Sequence, residues 1–189
     1  MTLDTAAIIA ETRAWVDRAV IGLNLCPFAK AVQVKGQIRY VVCPASEPAE
    51  LLNTLCDELH RLAESDPQDI DTTLLIHPAA LSDFLDFNDF LAVADAAVEE
   101  HGYAGILQVA SFHPQFQFAD THINDVSNAT NRAPFPTLHL LRESSIDRAV
   151  AAFPEAETIF EANIETLENL GAAGWAALQA QCKRDAENR

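Results

Sequence analysis

The chain has 189 residues, 28 acidic against 12 basic for a formal charge of −16, and 49% of its residues are apolar. A length of this order suits one hydrophobic core, burying roughly 70% of the surface that the unfolded chain exposes. The acidic field repels phosphate backbones and anionic bilayers, and no apolar run reaches the eighteen or so residues of a span, so neither nucleic acid nor membrane is expected as a partner.

The opening residues MTLDTAAIIAETRAW lack the basic leader and apolar stretch of a secretory signal and read as a helix retained in the mature protein. Cys26, Cys43, Cys56 and Cys182 include no CxxC pair, which argues against a disulfide framework or a zinc ribbon and favours a reducing cytoplasm as the location.

In chain order, Leu3 to Ile21 carries apolar residues at helical spacing and runs toward Gly22. GLNLCPFAK follows as an irregular segment around Pro27, and Ile38 to Cys43 is β-rich. Ser46 is the expected cap of a second helix striped by Leu51, Leu55, Leu59 and Leu62, which makes Cys56 core packing.

DTTLLIHP reads as a short buried strand. Ser82 is the expected cap of a third helix containing Phe84, Phe87 and Phe90, ending near His101 and Gly102. GILQVASF and PTLHLLRE are two further strands, Pro154 opens a final helix, and Gly171 and Gly174 interrupt it. The order predicts an α/β fold: a single domain over residues 1–189, a sandwich of about four mixed strands with flanking helices.

Between the last two strands lies HPQFQFADTHINDVSNATNRAPFP, longer than most unstructured connections in a small domain and so a candidate functional loop. Asp120 and His122, two apart, share a face where the chain is extended; a carboxylate there orients an imidazole or joins it on a metal. His77 and His113, in IHP and FHP, both follow a strand, where α/β sheets place ligands.

Each feature also has a plainer reading. The two histidines before proline can serve as hydrogen-bond donors at strand ends, aspartates often cap turns, and His60, His101 and His139 look structural. Arg132 suits an anion, whereas Arg142, before Glu143, suits an ion pair. Cys26 is the cysteine outside a regular element, but no neighbour in sequence depresses its pKa, and buried packing competes with a nucleophilic role.

GLNLCPFAK, SFHPQFQFADTHIND and NRAPFPTLHLLRE together resemble the bacterial proteins grouped as domain of unknown function 1415, over nearly the whole chain. The resemblance implies a single-domain bacterial protein of the cytoplasm and transfers no catalytic residue.

Two function classes stay open from the residues, with an interaction module behind them. One is a small-molecule enzyme with its site on the loop after the third strand. In a hydrolytic metal form, His113, His122 and Asp120 hold a divalent ion; in an acid–base form, His122 is the base and Asp120 orients it, with Cys26 a further catalytic candidate. The other is a non-catalytic binding or regulatory domain in which Arg132, Asn131 and Asn128 recognise a small anionic molecule. The interaction module is a homodimer joined through the FLDFNDFL helix, although its phenylalanines recur at the spacing of a core face.

Overall fold

Thr72–Ile76, strand β2, is buried along its whole length, which requires cover on both faces of the sheet it belongs to. The computed structural model, which describes residues 3–153 and 155–188, supplies that cover. Four strands, β1 (Ile38–Val42), β2, β3 (Leu107–Phe112) and β4 (Thr137–Arg142), form one sheet in the order β1-β2-β4-β3. β1 and β2 are parallel, and β4 is antiparallel to both β2 and β3. The expected α/β sandwich with a mixed four-stranded sheet is the observed architecture.

One face is covered by α3 (Pro48–Glu64) and α4 (Phe84–Glu100). Their Leu51, Leu55, Leu59, Leu62, Phe87 and Phe90 pack with Leu75, Leu107, Leu138 and Leu140 from the strands. The helix FLDFNDFL therefore buries its Phe87 and Phe90 and leaves Leu85 outside. Burial of these side chains contributes roughly 1.5–3 kcal/mol each.

The other face is covered by α1 (Thr5–Trp15), by a π-helical continuation over Val16–Ile21, and by α6 (Ile159–Glu187). Trp15, Val16, Ala19, Leu167, Trp175 and Cys182 form this second core together with Leu74. An ion pair between Arg18 and Asp185 ties the π segment to α6. Two short helices, α2 (Ala29–Val34) and α5 (Glu143–Ala152), complete the set; neither was expected from sequence.

The expected caps shift by one residue. Asp83, not Ser82, caps α4, its carboxylate accepting from the N–H groups of Leu85 and Asp86. α3 starts from Glu47 with Pro48 at its first position, where a fixed φ and a missing N–H suit a helix start, so Ser46 stands outside it. Pro154 lies outside the described residues. Gly171, at φ 70° and ψ 168°, interrupts α6 as expected, while Gly174 stays helical.

Candidate functional site

The loop between β3 and β4 is an ordered piece of structure whose polar side chains serve its own backbone. Asn128 is fully buried. Its side-chain oxygen accepts from Phe118 N–H and Thr121 Oγ1, both at 2.9 Å, and its amide donates to His122 O at 2.9 Å. Asn131 donates to Ser111 O at 3.2 Å, and Arg132 donates to Phe116 O at 3.1 Å and Ile123 O at 2.7 Å. Three carbonyl-directed side chains hold the loop in one conformation, a use of polar side chains that buried backbone groups require. Arg132, Asn131 and Asn128, expected to recognise an anion, are here hydrogen-bonded within the loop and to β3. Phe116 and Phe118 anchor the loop on Phe84 and Phe160, at ring separations of 5.2 and 5.9 Å.

The expected metal ligands do not assemble. His113 is buried, accepting from Gln115 N–H through Nδ1 at 3.0 Å and donating from Nε2 to Leu81 O at 3.2 Å, so both ring nitrogens are engaged. His122 is exposed and its Nδ1 accepts from Asn124 N–H at 3.2 Å. Asp120 is exposed at φ 63°, a conformation that short polar side chains tolerate in turns. It makes no hydrogen bond to His122 among the described residues, while Asp125 accepts from His122 N–H at 2.7 Å. Among the described residues no three His, Cys, Asp or Glu side chains are placed to hold a metal ion, so the expected site for a divalent ion is not formed.

His77 and His113 do meet, but inside the core. They lie against Phe87, with ring centroids 5.6 and 5.1 Å from it. His77 donates from Nδ1 to Ala80 O at 3.0 Å, and its buried Nε2 has no partner among the described residues. Burial holds its pKa down to about 4 and lowers that of His113 as well. β2 and β3 run the same way with β4 inserted between them, so these strand ends share an edge of the sheet without being neighbours.

Cys26 stands elsewhere, in the wall of a cavity of about 350 Å³ on the second face of the sheet. The floor is Ile38, Thr72, Leu74, Phe112, His139 and Leu141 from all four strands' common face. Side chains alternate along β4, so with Leu138 and Leu140 committed to the first core, His139 must face the cavity. The walls are Trp15, Val16 and Val20 on one side and Ile146 and Ala149 of α5 on another, with Cys26, Phe28 and Val32 between. Short departures from α geometry are frequent at functional sites, and here the π-helical turn lies in the wall.

Asp71, Thr72, Gln108 and Ser145 punctuate this mostly apolar lining, together with Trp15, His139 and Cys26. Trp15 is 3% exposed, and its indole N–H is buried with no hydrogen-bond partner among the described residues. His139 Nε2 lies 2.8 Å from Thr72 Oγ1, which donates to Leu140 O at 2.6 Å. The ring nitrogen is then the donor in the first contact and Nδ1 keeps its lone pair. Burial pulls the His139 pKa down to about 4, so the ring is neutral at pH 7. Burial also raises the pKa of the Cys26 thiol, against a smaller opposing effect of the Phe28 and Ala29 backbone N–H groups.

The cavity adjoins a second, more polar groove of about 430 Å³, with which it shares Phe28, Val32, Asp71, Ser145 and Ala149. Lys35 and Arg148 line the groove and not the cavity.

A family model described as a protein of unknown function (DUF1415) matches residues 7–177. The chain belongs to this family. Every residue named above in the cavity and groove falls inside the matched span, so both are features of the DUF1415 portion and not of an appended tail. No curated protein and no solved structure matches the chain. No helix is long and apolar enough to cross a membrane among the described residues.

Of the expected site residues, Cys26 alone lines this DUF1415 cavity; His139, read as structural, lines it too. The available signal was a histidine alternating with leucines in TLHLLR, a polar side chain on a strand position whose face is covered. Trp15 gave no signal, because an indole at helical spacing reads as core until its N–H is seen to lack a partner.

Proposed function

We propose that this chain is a binding protein for a small, largely apolar molecule held in the cavity between the sheet, the Trp15–Cys26 segment and α5. The observation that carries this reading is a cavity of about 350 Å³ with a mostly apolar lining, into which His139 faces from β4. A concave apolar lining with a few fixed polar groups is what small-molecule sites use to combine affinity with orientation. His139 Nδ1 supplies an acceptor able to orient a ligand that carries a hydrogen-bond donor.

Binding is favoured over catalysis by the ionisation of Cys26 and His139. Nucleophilic catalysis needs a thiolate, and burial holds Cys26 toward the neutral thiol. A base with a pKa near 4 is a weak proton acceptor at pH 7. Catalysis on the β3–β4 loop loses support because His113, Asn128, Asn131 and Arg132 are committed to backbone groups there.

The test is a titration with the neutral fluorophore N-phenyl-1-naphthylamine. Saturable binding is expected in the wild type, with an affinity at least about tenfold weaker in Ala149→Phe, which fills the cavity from α5. The variant's unfolding midpoint, followed alongside, reports whether its fold is kept. Non-saturable uptake, or equal affinity in a folded variant, would overturn the reading.

A further inference from the structure

The polar groove beside the cavity bears on what kind of molecule would enter. Lys35 and Arg148 line it in a chain whose formal charge is −16, a local reversal of sign. Lys35 is exposed, and its side-chain ammonium makes no hydrogen bond or ion pair among the described residues. Arg148 is also largely exposed; its guanidinium donates to Ser145 Oγ at 2.9 Å and makes a long ion pair with Asp71. Asp71 is the groove's carboxylate, and it already accepts from Ser145 Oγ at 2.6 Å and lies 4.0 Å from Arg148. The uncommitted charge of the groove is therefore positive. Gln37 cannot contribute, because its amide donates to Pro67 O and Gln68 O.

Resting on the cavity reading above, we infer that the ligand is an amphipathic anion, with its apolar body in the cavity and its anionic head in the groove against Lys35 and Arg148. The two compartments share a wall of Phe28, Val32, Asp71, Ser145 and Ala149, partly apolar and partly polar, so one molecule can occupy both. The chain's acidic surface works against adventitious capture of anions, which makes a cationic rim informative about ligand sign. Both cations are solvated, so they contribute to selectivity more than to total affinity.

Octanoate and octan-1-ol share a tail and differ in the head, and calorimetric titration of each into wild type and Lys35→Gln/Arg148→Gln separates the two ideas. The expected result is an octanoate preference of about tenfold in the wild type, the size two partly solvated charge contacts give. It should vanish in the double variant while octan-1-ol binds as before, and it should shrink in 0.5 M salt, where screening is stronger. Equal binding of the two in the wild type would overturn the anionic head and leave the cavity reading standing. Failure of both to bind would overturn both.

Discussion

Thr72 and His139 are joined across β2 and β4 by a contact of 2.8 Å from Oγ1 to Nε2, in which the histidine ring donates. The threonine hydroxyl proton is directed to Leu140 O, and this relay fixes the ring's tautomer without any charge. A neutral histidine on the buried side of a sheet has a consequence for stability. Its folded pKa of about 4 lies below the unfolded value near 6.5, and His77 has the same displacement.

Because these folded values are depressed, the unfolded chain binds protons first as pH falls. The stabilisation is full above about pH 6.5 and is lost between there and pH 4. Each of the two histidines should contribute a loss on the order of 3 kcal/mol by pH 4. Urea unfolding at a series of pH values checks this. His77→Asn, whose amide can still donate toward Ala80 O, should flatten the wild-type dependence across that window; an unchanged slope would show that His77 is not held neutral in the fold.

The β3–β4 loop gives the second prediction. Asn128→Ala removes three hydrogen bonds and leaves Phe118 N–H without its acceptor, which should destabilise the protein by about 3 kcal/mol. His122→Ala, at an exposed ring, should change stability by less than about 0.5 kcal/mol and leave cavity binding unaltered. Chemical denaturation of the pair distinguishes a self-bonded loop from an active one. Loss of ligand binding in a stable His122→Ala protein would return the site to the loop.

Much of the architecture was legible because periodicity reports burial. The leucine stripe of α3, the leucine–isoleucine run of the wholly buried β2 and the alternation in β4 each report burial against the sheet. What escaped were features that depend on contacts distant in sequence. Asn128 looks like a recognition residue until Phe118 and Thr121 are found around its oxygen. α5, from Glu143, has no fully buried residue, so its pattern carried little hydrophobic contrast. The cavity itself arises from the spacing of α1, the π segment, α2 and α5 above the strands, a relation that no local pattern encodes. Cys26 was singled out for its irregular setting, and its real environment is set by Trp15, His139 and Ala149, which are remote from it in the chain.

Arg142 supplies the third prediction. The sequence suggested an ion pair, but its guanidinium donates to Leu62 O at 2.6 Å, Ser65 O at 2.7 Å and Ile70 O at 3.0 Å. It thereby satisfies carbonyls at the end of α3 and in the turn leading to β2, where a cation also opposes the helix dipole. Arg142→Leu should lower stability by about 3 kcal/mol, since it strips donors from three carbonyls and keeps the apolar stem. Arg142→Lys should recover part of that loss by reaching fewer of them. A neutral Arg142→Leu substitution in thermal and urea unfolding would mean that water serves those carbonyls equally well.

Cys26 gives the last. A cysteine poised for nucleophilic chemistry alkylates quickly near neutrality, whereas burial raises this thiol's pKa and leaves little thiolate at pH 7. Iodoacetamide should therefore modify Cys26 more slowly than free cysteine does under the same conditions, as followed by peptide mass spectrometry. Octan-1-ol in the cavity should slow it further, because Cys26 is part of the wall and a bound tail would cover it. Cys26→Ser should retain octan-1-ol binding within about threefold, the change expected from exchanging one small wall side chain for another of similar size. Rapid alkylation that octan-1-ol fails to slow would instead indicate a reactive thiol outside the ligand's reach, and a covalent role for Cys26 would then have to be reconsidered in place of its passive one.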